Sequence, residues 1–135
     1  MCCIAAVAAA ERMLDLTLQF CREHTDFGKP VLKLSGSRLR IVDLTTEVKL
    51  GRTFLDKMIA DHMEGKSIVV DVSMAKAWTS EMAMRVADAS LELQGMHGAG
   101  EENPLARAWR DTRVLSIFAG TNEIMRGIAA KFMGL

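Results

Sequence analysis

The sequence predicts an all-α fold, an up-and-down helical bundle of three long helices followed by a shorter carboxy-terminal helix. The composition favours helix over sheet, since the 135 residues include ten Met, five Phe, two Trp and no Tyr. Apolar residues recur at steps of three and four through three long stretches. Half of all residues are hydrophobic, which is enough for a core without disulfides or metal. We therefore expect residues 1–135 to form one helical-bundle domain.

The first helix is predicted over Met1–Glu23, where a row of apolar residues falls near one face. This row consists of Ile4, Val7, Ala8, Met13, Leu14 and Leu18. The segment 24–30 ends the helix, because Gly28 tolerates a turn and Pro30 cannot donate a helical hydrogen bond. We expect a tight connection to the next helix.

The second helix begins near Ser35 or Ser37 and runs to about Met63, where Glu64–Gly65 ends it. Its apolar residues keep the helical spacing. They are Ile41, Leu44, Val48, Leu55, Met58 and Ile59.

The third helix opens near Ser67, which we expect to be its N-cap. Its apolar stripe follows alternating steps of three and four, a pattern that suits long antiparallel packing. The stripe consists of Ala75, Trp78, Met82, Val86, Ala89 and Leu93. The β-branched run 68–70 could begin a strand, but the longer helical period around it outweighs that reading.

The last part of the chain contains a loop and two shorter helices. Three glycines between Gly95 and Gly100 are hard to hold in a helix, so we expect the main interior loop there. Asn103–Pro104 is typical of an N-cap followed by proline at the first helical position, and it predicts a short helix toward Thr112. The final helix starts at Thr121 or Asn122.

Charge and cysteine usage exclude several classes of function. Lys and Arg total 17 and Asp and Glu total 17, so no field of one sign attracts nucleic acid or an anionic membrane. No stretch reaches the roughly 20 apolar residues of a membrane span. Cys2, Cys3 and Cys21 lack metal-ligand spacing, and we expect reduced thiols in a cytoplasmic protein. No targeting signal is recognised, and no metal site is predicted.

Four segments carry a resemblance that covers nearly the whole chain. They are Phe27–Pro30, Met74–Glu81, Leu93–Gly100 and Ala119–Arg126. In this order and approximate spacing they resemble the acyl-CoA dehydrogenase family, in its carboxy-terminal domain. The resemblance implies a helical bundle that packs on an amino-terminal helical domain and a middle β domain, neither of which this chain contains. It also implies self-association as a homodimer or homotetramer.

The activity implied by the resemblance is α,β-dehydrogenation of an acyl-CoA thioester. A carboxylate removes the α-proton while the β-hydrogen leaves as hydride to FAD. Electron-transfer flavoprotein is a possible partner. In many members the base immediately precedes the Gly-Thr of the last motif, a position held here by Ala119. In others it lies on the first long helix, in register just upstream of Met1, so no catalytic residue is predicted within the chain.

The resemblance also implies cofactor contacts. Gly120, Thr121 and Glu123 lie in the segment that contacts the diphosphate and ribose of the flavin. Local sequence alone would favour an ordinary N-cap at Thr121, and the resemblance favours the flavin contact. Gln94 and Gly98 match positions that reach the adenine-nucleotide part of a neighbouring subunit's flavin. Alternatively, Gln94 is a polar residue at a helix end and Gly98 belongs to a turn, without any cofactor contact.

Phe27 and His24 also lie in this cofactor region. Phe27 matches a ring near the adenine end of the flavin, and its alternative is a simple core position. The family's usual arginine for the diphosphate is replaced by His24, which lacks the bidentate guanidinium and predicts weaker phosphate binding. His97 has no acid or nucleophile paired with it in sequence, and we assign it to loop structure.

Two explanations compete for the missing base. Either the sequence begins after the catalytic glutamate of a larger enzyme, which we favour, or the protein has abandoned dehydrogenation. The first makes the chain the carboxy-terminal part of an FAD-dependent acyl-CoA dehydrogenase, inactive alone. The second makes it a catalytically inactive helical oligomerisation or interaction module. A third possibility retains the flavin for different chemistry on the same scaffold.

Overall fold

The computed structural model describes residues 1–135 and is almost entirely helical. Its five α-helices are α1 (Cys2–Glu23), α2 (Ser35–Met63), α3 (Val69–Gln94), α4 (Pro104–Thr112) and α5 (Asn122–Met133). Short 3₁₀ helices lie at Val31–Lys33, Gly95–Ala99 and Arg113–Ser116. The predicted all-α bundle of three long helices is confirmed. No helix combines the length and the apolar character needed to cross a membrane.

Helix α3 is the centre of the bundle, because it packs against α1, α2, α4 and α5. Small residues make this possible, since an alanine side chain lets a neighbouring helix approach closely. The alanines buried on α3 are Ala75, Ala77, Ala83, Ala87 and Ala89. Larger apolar side chains fill the spaces between the helices, with Met13, Leu44, Leu55 and Met82 fully buried. The core therefore surrounds α3.

The connection between α1 and α2 is a miniature hairpin. Two short antiparallel strands, β1 (Thr25–Asp26) and β2 (Lys29–Pro30), pair Thr25 with Pro30 and Asp26 with Lys29. The two turn residues, Phe27 and Gly28, have φ angles of 49° and 74°. Positive φ at both positions gives the backbone twist that two-residue hairpins require. Sequence reasoning located the turn but missed the strand pairing.

Three predictions about local structure are wrong. Ser67 is not an N-cap, because α3 begins at Val69 and Ile68 stands before it without a side-chain cap. Ile4 and Ala8 do not join the buried face of α1, and Ile4 is 47% exposed. Residues Gly95–Ala99 form a 3₁₀ helix rather than an irregular loop, since glycine is compatible with a short tight turn.

Two helix starts predicted from local sequence are confirmed. The Asn103 side chain accepts a hydrogen bond from the Leu105 N–H with Pro104 in the first turn, and Thr121 accepts one from the Ile124 N–H. In both cases the signal is contained within a few consecutive residues, which is why the sequence was sufficient.

Candidate functional site

The turn before α5, residues 119–123, is held in a conformation that favours small residues. Ala119 and Gly120 both have positive φ angles, 56° and 94°. A Cβ atom on Gly120 would lie 3.0 Å from the Met125 sulfur. Thr121 then starts the helix, and its hydroxyl oxygen accepts from the Ile124 N–H at 3.4 Å. The turn therefore places the Thr121 hydroxyl directly beside the first residues of α5.

A buried lysine of α3 contacts this turn and fixes its position. Lys76 of α3 is 3% exposed and forms no ion pair. Its Nζ donates to the Gly120 carbonyl oxygen at 2.6 Å and to Asn122 Oδ1 at 2.9 Å. A buried ammonium group is costly unless its protons are bound, so these oxygens are essential partners of Lys76. In turn, Lys76 fixes the position of the Gly120 carbonyl.

Asn122 extends the network to the rest of α3. Its Oδ1 also accepts from the Ser80 hydroxyl at 3.1 Å, and its Nδ2 donates to the Ala77 carbonyl and to Glu81 Oε1. Glu81 Oε1 also accepts from Arg126 of α5 at 2.6 Å. This lysine–asparagine network joins the sequence segments Met74–Glu81 and Ala119–Arg126. The sequence identified both segments but did not predict the contact between Lys76 and Asn122.

A cavity of about 550 Å³ opens beside the network. Its polar lining includes Thr121, Glu123, Ser116, Arg85 and Arg113. Arg85 donates to Glu47, whereas Arg113 forms no ion pair. A threonine hydroxyl and N–H groups at the start of a helix are donor types that a phosphate group prefers, although the Ile124 N–H here already donates to Thr121. These residues fit the diphosphate part of a dinucleotide.

Glu123 also lines this cavity, and the pKa of its carboxyl lies below the ordinary value. A hydrogen bond to its own backbone N–H, followed by one to the Thr121 side chain, lowers the pKa of the Glu123 carboxyl. A carboxylate in the first turn of a helix is stabilised by the helix dipole. The negative charge of Glu123 would repel an anion in this cavity, so an anion would bind on the side lined by Thr121.

Ala119 places a methyl group at the surface of the turn. A methyl group cannot accept a proton, so no general base is present at this position. This is the chemical reason why no catalytic residue is predicted at Ala119.

A second cluster lies at the opposite end of α3. Gln94, 7% exposed, accepts at Oε1 from Asn103 Nδ2 at 2.5 Å. Asn103 Nδ2 also donates to the His97 carbonyl at 2.8 Å. Gly98 is buried, and a Cβ there would lie 3.1 Å from the Leu91 carbonyl oxygen. Glycine therefore favours this close approach of the 3₁₀ helix to α3.

Two histidines and a phenylalanine complete this second cluster. The His24 ring stacks on Phe20 with centroids 3.9 Å apart, and the His97 ring lies 5.0 Å from His24. His24 Nδ1 is buried and has no hydrogen-bond partner. All three rings line a cavity of about 480 Å³, together with Gln94. Sequence reasoning treated His97 as loop structure and did not anticipate this aromatic cluster.

The predicted cofactor residues therefore divide between two places. Thr121 and its neighbours contact the first half of α3 through Lys76 and Glu81, whereas Gln94 ends the same helix. With a rise of 1.5 Å per residue, Glu81 and Gln94 are about 20 Å apart along α3. Phe27 lies at the tip of the hairpin and lines neither cavity. Because its side chain is 87% exposed, the alternative that it is a core residue is wrong.

Comparisons with known proteins agree on one family. Residues 1–134 match the family described as "Acyl-CoA dehydrogenase, C-terminal domain". The short-chain specific acyl-CoA dehydrogenase of Megasphaera elsdenii is 32% identical over 119 residues, covering 88% of this chain and 31% of that protein.

Solved structures have the same helical arrangement. An acyl-CoA dehydrogenase from Geobacillus kaustophilus superposes with a TM-score of 0.97 at 47% identity, over 99% of this chain and 35% of that one. The FAD complex of PigA superposes with a TM-score of 0.90 at 27% identity, over 96% of this chain and 34% of that one. The chain thus spans about a third of the length of these relatives.

Proposed function

The chain belongs to the acyl-CoA dehydrogenase family, and on this premise we propose that it forms one wall of a flavin and acyl-CoA site. The parent activity is α,β-dehydrogenation of an acyl-CoA thioester by an FAD-dependent enzyme. Domains outside this chain complete the site, as expected of a segment that spans about a third of its relatives. The chain alone is inactive in this proposal.

The lysine–asparagine network is the observation that supports the proposal most directly. Lys76 holds the turn before α5 through Gly120 and Asn122, and the residues that follow Gly120 at the start of α5, Thr121 to Glu123, line one cavity. Such an arrangement of donors is suited to the diphosphate of FAD. We propose that Thr121 donates to this diphosphate, with Gly120 and Glu123 flanking the ribose side.

The flavin supplies a hydride acceptor when it is bound. The residues of this chain bind and orient it, and none of them removes the α-proton. Because Ala119 carries only a methyl group, dehydrogenation requires a carboxylate from outside the chain. The acyl-CoA substrate would approach the same turn, since the turn bears the family position of the base.

Self-association as a homodimer or homotetramer forms part of the proposal. The Gln94 cluster lies about 20 Å along α3 from the network, too far for one flavin phosphate to meet both. Gln94 and Gly98 would then serve the adenine nucleotide of a neighbouring subunit, with Phe27 near the adenine. Helix α5 also exposes apolar side chains that a subunit contact could cover, among them Ile124, Phe132 and Met133.

Two further parts of the proposal follow from the family. Electron-transfer flavoprotein is a candidate electron acceptor for the complete enzyme. The three cysteines are all free thiols, which fits a reducing compartment such as the cytoplasm.

A second candidate function is a catalytically inactive helical interaction module. Two observations favour it: the methyl group of Ala119 at the position of the base, and the absence of an arginine from the cavity beside His24. In this case the exposed apolar face of α5 would bind a second copy, and the cavities would hold no flavin.

One experiment separates the two functions. The purified chain is incubated with FAD and passed through a gel-filtration column, and the visible absorption of the protein peak is recorded. A flavin band in an oligomeric peak supports the dehydrogenase proposal, whereas a colourless oligomer supports the interaction module. A colourless monomer contradicts both.

Matched threonine variants identify the contact. Thr121→Val should lose the flavin band, and Thr121→Ser should restore it by keeping the hydroxyl. Thr53→Val is the control, because Thr53 is exposed on α2 and its hydroxyl bonds only to the Lys49 carbonyl. Loss of flavin with Thr53→Val and not with Thr121→Val would contradict the assignment.

A further inference from the structure

The peptide bond between Gly120 and Thr121 is bound on one side by a buried cation. Its carbonyl oxygen accepts a hydrogen bond from Lys76 Nζ at 2.6 Å. The C=O and N–H groups of a trans peptide lie in one plane and point in opposite directions, and the chain has no cis peptide bond. The Thr121 N–H is therefore directed away from the ammonium group of Lys76.

The Thr121 N–H is a free donor. No oxygen of the chain accepts a hydrogen bond from it, and Thr121 lines the cavity of about 550 Å³. Two other N–H groups at the start of α5 are occupied, since the Ile124 N–H donates to the Thr121 hydroxyl and the Glu123 N–H bonds to its own carboxylate. The Thr121 N–H thus remains available to an acceptor from outside the chain.

Lys76 is the main constraint on the orientation of this peptide. Gly120 has a φ angle of 94°, and glycine permits a wider range of backbone angles than any other residue. The Gly120 carbonyl accepts from no other group of the chain. Lys76 is itself held by Asn122 Oδ1, 2.9 Å from its Nζ. The ammonium group therefore sets the direction in which both ends of the peptide point.

Lys76 does not itself reach a ligand in the cavity. Its side chain is buried, and it is not among the residues that line the cavity beside Thr121. Any hydrogen-bonding influence of Lys76 on a ligand there therefore passes through the Gly120–Thr121 peptide. This geometry makes Lys76 a positioning residue rather than a residue that binds the ligand.

We propose that Lys76 positions the cofactor contact, because it holds the Gly120 carbonyl and so directs the free Thr121 N–H toward a phosphate oxygen of the flavin nucleotide. This inference deepens the proposed function and rests on it. The main-chain N–H of Thr121 is then a donor to the ligand in addition to the hydroxyl. Lys76 acts on the ligand through the peptide and not through its own charge.

The first test compares two variants by equilibrium dialysis against FAD, with the bound fraction read from flavin absorbance. Lys76→Met removes the donor to Gly120, and its dissociation constant should rise about tenfold, the effect of losing one hydrogen bond to a charged group. Ser80→Ala is the control, because it removes a buried hydrogen bond to Asn122 Oδ1 and leaves the bond between Lys76 and Gly120 in place. Its dissociation constant should stay within about twofold of the wild type. Circular dichroism at the dialysis temperature checks that each variant is folded.

A second test removes the Thr121 N–H itself. Thr121→Pro and Thr121→Val both lack the hydroxyl, but only proline lacks the N–H, and the Thr121 φ angle of −61° is one that proline adopts. Thr121→Pro should therefore bind FAD about tenfold more weakly than Thr121→Val. Adding Lys76→Met to Thr121→Pro should weaken binding by less than about twofold more, because the group that Lys76 directs is already gone.

The outcomes separate the inference from the proposed function. Equal weakening by Lys76→Met and Ser80→Ala would reduce Lys76 to a structural role and overturn the inference, while wild-type binding of FAD leaves the proposed function standing. Equal affinities of Thr121→Pro and Thr121→Val would exclude the N–H from the contact, with the same consequence. A further loss of about tenfold when Lys76→Met is added to Thr121→Pro would show that Lys76 acts through its charge and contradict the positioning role. A wild-type chain that binds no FAD overturns both for this chain.

Discussion

Replacing Lys76 by methionine tests the lysine–asparagine network. The change keeps the length of the side chain but removes the donors to the Gly120 carbonyl, 2.6 Å away, and to Asn122 Oδ1, 2.9 Å away. Asn122 Oδ1 retains its bond from Ser80, so the Gly120 carbonyl loses the only donor that the network gives it. An acceptor left unsatisfied in this way costs about 1–3 kcal/mol.

A second effect acts in the opposite direction. Lys76 has no carboxylate partner, so its removal also relieves the cost of burying a charge. We expect the loss to exceed this relief and the net destabilisation to be about 2 kcal/mol. With an unfolding entropy of about 0.28 kcal/mol/K for a domain of this size, the melting temperature should fall by about 7 °C.

Differential scanning calorimetry measures this change, with Lys49→Met as the control. Lys49 is exposed on α2, and its substitution should change stability by less than about 0.5 kcal/mol. The double variant of Lys76→Met with Asn122→Ala should be less destabilised than the sum of the single variants, by about 1 kcal/mol. A melting temperature for Lys76→Met within 2 °C of the wild type, or strictly additive effects, would refute the reasoning.

Three further predictions concern single positions. Denaturant titrations should distinguish two glycines. Gly51→Ala places a Cβ 2.8 Å from the Met82 methyl group and should cost about 1 kcal/mol net, whereas Gly127→Ala, which meets no atom within 4 Å, should stabilise α5 by up to about 1 kcal/mol. Phe27→Asn suits the positive φ of the turn, so its melting temperature should not fall, and reduced FAD retention would then reflect a lost ligand contact rather than unfolding. Glu123 has a lowered pKa, so its stabilisation is present above pH 4.5 and is lost as the pH falls through the folded-state value. The difference in melting temperature between wild type and Glu123→Gln should therefore disappear in acid, and a constant difference would contradict it.

The fold was predictable because its signals are local. Helical spacing located α1, α2 and α3, and the caps Asn103 and Thr121 each depend on a hydrogen bond within three residues. Ser67 failed as a cap because a serine before a helix only permits a cap, and here α3 begins two residues later, at Val69. Ile4 failed because helical spacing does not reveal where a neighbouring helix stops covering the face.

The site was predictable only in part. The resemblance located Thr121, Gln94 and their neighbours, but not what holds them. Lys76 is 44 residues from Gly120, and a lysine is ordinarily an exposed residue, so nothing in its local sequence indicates burial. The approach of His24 to His97 likewise joins residues 73 positions apart and has no local pattern. Long-range polar pairs of this kind depend on the packing of the whole bundle.

Hydrogen exchange measured by mass spectrometry, with and without FAD, tests the central proposal most directly. If the chain is a flavin-site wall, FAD should slow exchange in two separate segments, Gln94–Gly98 and Gly120–Ile124. Exchange in the second half of α2, which lines neither cavity, should be unchanged. Protection confined to α2, or no protection in either segment at saturating FAD, would contradict the account.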